Sequence, residues 1–419
     1  MTFLLLAAIT GLTVSHDVGM AGDYTNQTYG IIDYDTIRDP DEWDTLDIET
    51  EARTFWNLDL SAEKGGTRLA AANNLDLSTR SLREGLSLTL GQDFLDNADL
   101  EIRNDVEGRW YHHALPQLAD TGFQKDYWTN ASDLELDFAA VPGLDLSGSG
   151  QFQVFRYSEP DSFNYDYLLG RAGAGMTREL GGISSLTLDY EWSRRWAAAA
   201  DNQDHVEHSF EAELDLYLDN GPHVNLTNAA ARRRYATRSR CYWEEAPGVR
   251  LGLDLSPAVE LSIEDEARWT WYDAPNAIYS NLFENGLKLA VEWRATSELS
   301  VRVGPQLDVG HSLPQATSGD FRESSAMVGI DYMKLDRLWF SVEDRLGLRR
   351  YPLAESSFQS NYLFNEFNLM ASWTIVRMGR GGLSLIGMAV ISPEWHAEKS
   401  SDLATRIFAL ELRYGLRPS

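Results

Sequence analysis

The sequence contains very little cysteine and no long apolar run. Cys241 is the only cysteine among 419 residues, which excludes an intrachain disulfide and any CxxC metal or redox motif. No segment approaches the roughly 20 consecutive apolar residues that a membrane-spanning helix needs. The sequence therefore excludes a disulfide-stapled domain and a helical membrane protein.

Basic residues are also scarce. Lysine and arginine number 36 against 64 aspartates and glutamates, and the formal net charge is −28. Such a charge repels nucleic acid and favours cations or cationic partners. Two interpretations stand side by side: an acid-rich protein with solvated loops, or a pore that prefers cations. A nucleic-acid partner is not expected.

Alternation of apolar and polar residues dominates the chain from about residue 51. In residues 99–112, Leu100 and Ile102 alternate with Glu101 and Arg103. A strand separates these two sets, because successive side chains point to opposite faces of a sheet, whereas a helix would scatter the charges around its surface. The same period recurs in residues 186–193, 210–219, 287–294 and 408–416, so the chain is predicted to be all-β.

The connections between these segments alternate in length. Short turns such as residues 141–143 are followed by longer loops such as residues 158–166 or 309–322. Short periplasmic turns and long extracellular loops are typical of outer-membrane barrels, which in bacteria have an even number of strands. Nineteen segments are counted. The prediction is therefore a transmembrane antiparallel β-barrel of about 18 strands (range 16–20), with twenty as the alternative if residues 26–35 form a further strand.

The N-terminal region is expected to lie outside this barrel. Residues 1–21 contain an apolar run that predicts a secretory signal peptide. Residues 22–50 are polar and acidic and predict an N-terminal lead-in segment. The outer-membrane β-barrel is then expected over residues 51–419.

The last alternating segment carries a resemblance to a known class. Residues 406–416 place Phe408 and Tyr414 in one apolar register, and together with the hairpin rhythm they make residues 51–416 resemble the bacterial outer-membrane porin-like barrels. The resemblance implies an outer-membrane location, contact with outer-membrane lipid and lipopolysaccharide, and folding by the barrel-assembly machinery. The chain departs from the class by continuing beyond its last aromatic residue, Tyr414.

The polar register of the strands supplies the candidate functional residues. Mixed charges on a water-filled wall set the ion selectivity of a channel; the alternative is a lumen closed by its own salt bridges. The predicted lumen-lining residues are Glu101, Arg103, Asp105, Glu107, Arg109, Glu211, Glu213, Asp215, Glu264, Glu266, Arg268, Glu292, Arg294, Arg302, Glu343, Arg345 and Arg349.

Aromatic residues near strand ends predict the two girdles of a membrane barrel, with ordinary strand propensity as the alternative. The predicted membrane-interface residues are Trp110, Trp192, Trp269, Trp271, Trp293, Trp373 and Tyr414. Three polar residues, Asn104, Asp265 and Asp344, interrupt the apolar register. The strands are expected to bulge there or to extend past the membrane.

Motifs for catalysis are lacking. The sequence has no GxSxG elbow, P-loop or HExxH. His205 and His208 fall on opposite faces of a strand, and the adjacent His112 and His113 also diverge, so neither pair makes a metal site. No catalytic residue, metal or cofactor is predicted, and a lipid-acting barrel enzyme is only a third hypothesis.

Two functions remain. The first is a porin-like channel for passive diffusion of ions or small polar solutes, with a mild preference for cations. The alternative is a non-conducting structural or interaction barrel, an envelope anchor, adhesin or secretion partner that uses its extracellular loops. A blocked lumen would distinguish the second from the first.

Overall fold

Twenty strands make up almost all of the described chain. The computed structural model describes residues 13–28, 45–78, 81–95, 97–111, 125–160, 165–181, 183–197, 203–218, 221–276, 279–313, 320–334, 337–352, 360–378, 381–396 and 402–416. The strands are β1 (Thr13–Thr28), β2 (Thr45–Lys64), β3 (Thr67–Ser78), β4 (Ser81–Leu95), β5 (Ala98–Tyr111), β6 (Tyr127–Val141), β7 (Leu144–Tyr157), β8 (Tyr167–Gly181), β9 (Ser184–Ala197), β10 (His205–Tyr217), β11 (His223–Tyr235), β12 (Tyr242–Ser256), β13 (Val259–Tyr272), β14 (Asn281–Arg294), β15 (Leu299–Leu313), β16 (Phe321–Lys334), β17 (Leu338–Arg350), β18 (Tyr362–Met378), β19 (Gly381–His396) and β20 (Leu403–Leu416), with a 3-10 turn at Arg238–Arg240.

The strands close into a barrel. Each strand pairs antiparallel with the next one in the chain, and all twenty belong to one sheet. The first strand, β1, pairs with β2 on one side and with β20 on the other, where Val18 lies opposite Tyr414. The sheet therefore has no free edge, and the predicted all-β antiparallel barrel is confirmed.

The strand count differs from the preferred prediction. All nineteen predicted segments are present as β2 to β20, and β1 is the twentieth strand. The count of twenty lies within the predicted range of 16–20 and equals the alternative count, although the added strand covers residues 13–28 rather than 26–35. With β2 beginning at Thr45, the sheet also starts upstream of residue 51 and includes parts of residues 22–50. The signal peptide over residues 1–21 stays a prediction, and residues 1–12 lie outside the described residues.

The outer face of the barrel is apolar and carries aromatic residues at two levels. All seven predicted interface aromatics lie in the outward register of their strands. On β14, Phe283 lies near the long-loop end and Trp293 at the short-turn end. Ten residues at about 3.3 Å each and a strand tilt of about 40° separate the two levels by roughly 25 Å, the height of a membrane barrel's apolar band. No helix in the described residues is long and apolar enough to cross a membrane.

The three polar exceptions face outward within regularly paired strands. Asn285 donates to Asp265 at 2.7 Å and Asn365 donates to Asp344 at 2.7 Å. Asn104 donates to side chains and a carbonyl of β6. The expected bulges are wrong, because the ladders continue through these positions without a register shift. Each polar group is instead satisfied by an amide on the neighbouring strand, which lowers the cost of exposing it to lipid.

Candidate functional site: the inner wall of the barrel

The inner wall is built from the polar register of the strands. Directly opposed residues of neighbouring strands share a face, and the ladders place all seventeen predicted lumen residues on the face opposite the apolar belt. Cavities lie along this concave side, one lined by Glu101, Arg103 and Asp105 and another by Arg268 and Arg345. The structure therefore spreads these residues around the wall, and their role in selectivity stays a prediction.

A dense ion-pair network lies on β15 to β18, close to the long-loop end. Arg345 binds three carboxylates: Asp308 at 3.3 Å, Glu366 at 3.1 Å, and Glu323. Arg349 donates from Nε to the second oxygen of Glu323 at 2.6 Å. Since Glu323 is buried, its charge depends on these two arginines. We call these five residues the Arg345 network.

Aromatic rings support the Arg345 network. The Arg345 guanidinium lies 5.2 Å from the ring centre of Phe364, and Arg349 lies 4.6 Å from that of Phe321. Met327, on the same inner face, is buried as well. This sector of the wall is therefore packed like a core, and it holds its charges in fixed positions.

A different sector, on β9 and β10, is acidic and lacks cationic partners. Asp189 lies directly opposite Glu211, and Thr187 lies opposite Glu213. Within the described residues, none of these three carboxylates has a basic group within the 4 Å of an ion pair. Within that same part of the chain, the one hydrogen bond that Glu213 accepts comes from the amide of Asn225 at 2.6 Å. We call Asp189, Glu211 and Glu213 the acidic sector.

Glycine keeps the wall beside the acidic sector thin. Gly175 on β8 faces Asp189 across the ladder, and a Cβ atom at position 175 would lie 2.4 Å from an Asp189 carboxylate oxygen and 2.3 Å from the Ser147 hydroxyl. The carboxylate therefore occupies the space that a side chain at position 175 would take.

Sequence reasoning missed several members of the Arg345 network. Asp308, Glu323 and Glu366 were not among the predicted residues, although each lies in the inward register of its strand. Every second residue from Arg302 along β15 faces inward, and this series includes Asp308. Strand periodicity could therefore have identified Asp308 as a lumen residue. His205 and His208 lie on opposite faces, as predicted, with His205 facing inward and His208 outward. His112 and His113 lie outside the described residues.

Several solved structures have a fold similar to that of this chain. The chain is similar to the FrpB iron transporter from Neisseria meningitidis (F3-3 variant), with a TM-score of 0.60 and 10% identity over 99% of this chain and 83% of that one. It is also similar to the alcaligin outer membrane receptor FauA from Bordetella pertussis, with a TM-score of 0.56 and 10% identity over 95% and 75%. The chain has the fold of outer-membrane β-barrels.

A third structure of this barrel fold matches over nearly the whole of both chains. Acinetobacter baumannii OccAB4 aligns with a TM-score of 0.51 and 13% identity, covering 96% of this chain and 97% of that one. No protein-family model and no curated protein sequence matches the chain. At these identities the likeness concerns the barrel fold, and it agrees with the outer-membrane location predicted from the sequence.

Proposed function

We propose that this barrel is a passive channel of the outer membrane for ions or small polar solutes, with a mild preference for cations. The observation that carries the proposal is the acidic sector, whose carboxylates lie in the inward register and form no ion pair with any residue that the structure describes. Fixed negative charge on the wall of a water-filled pore concentrates cations and depletes anions.

The width of the barrel supports a conducting lumen. Twenty strands spaced about 4.8 Å apart and tilted by about 40° enclose a circle roughly 40 Å across. Side chains alone fill barrels of about eight strands, whereas those of 16–18 strands leave an aqueous channel. The described residues include no separate domain inside the wall.

The names of the similar proteins bear on the same proposal. FrpB is called an iron transporter and FauA an alcaligin receptor, so barrels of this shape serve solute uptake in other proteins. Passive passage of small polar solutes through the lumen of this barrel is consistent with that use of the fold.

Single-channel recording tests the proposal. The protein, refolded and shown to be a heat-modifiable barrel, is inserted into planar bilayers under a tenfold KCl gradient. We expect stable conductance steps and a reversal potential displaced toward that of K⁺. Silence from a folded barrel, or an anion-selective reversal potential, would contradict the proposal, and silence would favour the structural or interaction barrel.

A further inference from the structure

Two arginines face each other on the outer surface at the long-loop end of β16 and β17. Arg322 and Arg350 are direct cross-strand partners and are exposed. Their neighbours in the same outward register are Ser324 and Leu348. Like charges directly opposite each other destabilise a pair of strands. An anion bound between the two guanidinium groups would remove this repulsion.

The described chain does not supply that anion. Neither arginine takes part in an ion pair with any described carboxylate, whereas one residue away on the inner face Arg349 is paired with Glu323. The other acid close in sequence to Arg322, Asp320, is buried and accepts hydrogen bonds from His311 and from the backbone of Ser312. Among the residues that the structure describes, no carboxylate compensates the two charges of this outward pair at the rim.

An apolar surface begins directly below the arginine pair. Val309 lies opposite Arg322, and Leu307, Leu346 and Leu363 follow it toward the short-turn end, each exposed on the outer face. Leu363 lies opposite Trp395 of the aromatic level, where membrane headgroups begin. The arginine pair at the rim and the apolar side chains next to it, toward the short-turn end, match an amphiphile with an anionic headgroup. A free ion would not use the apolar surface.

We propose that Arg322 and Arg350 form a docking site for the phosphate-bearing headgroup of a glycolipid in the outer leaflet. Two guanidinium groups side by side offer the planar, bidentate donors that suit phosphate oxygens. The acyl chains then lie along Leu307, Leu346 and Leu363. The site is independent of the channel, because it lies on the opposite face of the wall.

Lipid titration of the intact barrel tests this site. Detergent-solubilised protein is titrated with diphosphorylated lipid A, and bound lipid is counted by native mass spectrometry. Since each hydrogen bond to a charged group changes an affinity by roughly tenfold, we expect R322Q/R350Q to raise the Kd at least tenfold. The R322K/R350K variant keeps the positive charge but loses the planar, bidentate donors of the guanidinium group, and we expect an intermediate Kd.

The control removes the same charge elsewhere. R178Q/R250Q neutralises one outward arginine near the short-turn rim and one inward arginine, and it should bind lipid A like the wild type. Equal loss in both double variants would show unspecific charge attraction and overturn the proposal. So would unchanged binding by R322Q/R350Q, or displacement of lipid A by millimolar inorganic phosphate. A variant that lacks heat-modifiable mobility is replaced by the single variant R322Q.

Discussion

The acidic sector should control the selectivity of the channel, and its contribution can be calculated. The variant D189N/E211Q/E213Q removes three charges and keeps side chains of nearly the same size. An ion about 8 Å from each carboxylate gains roughly 0.2 kcal/mol per charge in water at 0.1 M salt, where the screening length is about 10 Å. The three charges together change the local ratio of cations to anions by roughly tenfold.

The assay is the reversal potential in bilayers under a KCl gradient. We expect the wild-type value to lie on the cation side and the triple variant to lie closer to zero. The difference should fade near 1 M salt, because the screening length shrinks to about 3 Å. Conductance at high salt should remain similar, because the variant changes charge and not width.

A control of equal charge lies on the other side of the same wall. E84Q/D265N/D344N removes three outward carboxylates and should leave the reversal potential unchanged. If both triple variants shift it equally, net charge and not the inner wall sets selectivity. If neither shifts it, the acidic sector does not face the path of the ions, and the reasoning is refuted.

Three further predictions concern the network, a loop and the membrane belt. Replacing Arg345 with Met leaves the buried Glu323 with one cation, and we expect a loss of about 2–4 kcal/mol of unfolding free energy in urea titrations; wild-type stability would contradict this. Hydrogen bonds from Arg232 hold the pKa of Asp273 below its usual value, so this loop contact persists above about pH 4 and is lost as the pH falls through the lowered pKa. Hydrogen exchange of the Asp273 amide should then accelerate in acid beyond its intrinsic rate, and D273N should show no such transition. Trp293→Ala should lower the free energy of unfolding of the barrel in lipid vesicles by about 1–2 kcal/mol. An unchanged midpoint of urea unfolding would show that the Trp293 ring lies outside the membrane interface.

Alternation made the inner wall predictable residue by residue. Glu101, Arg103 and Asp105 fall on one face because the period of a strand is two, and a one-residue error would expose every apolar neighbour to water. The same rule assigns Trp269 and Trp271 to the outer face. The alternation within a single strand therefore determines whether a side chain faces the lumen or the membrane.

Height along the barrel is not encoded in the same way. The Arg345 network joins residues of four strands, and their relative heights depend on turn lengths and on irregular pairing. The β14–β15 ladder is interrupted beside Pro305, which has no N–H to donate. Sequence periodicity shows that Asp308 and Glu323 face inward, but it does not show that both reach Arg345.

The first strand was missed for a related reason. Residues 13–28 contain Gly19 and Gly22 and place Asp17 and Asp23 among few apolar residues, so their alternation is weak. Strand β1 is instead defined by its partners on both sides, β2 and β20. Pairing over such a distance leaves no trace in the local pattern.

The ladder between β1 and β20 joins the two ends of the chain's sheet and closes the barrel. Its paired residues, such as Val18 and Tyr414, are separated by nearly the whole chain, so this ladder has the greatest sequence separation in the sheet and we expect it to form last. Until it forms, the other hairpins make an open sheet with two unpaired edges, which are templates for aggregation. Pairing of β1 with β20 removes both of these edges in a single step.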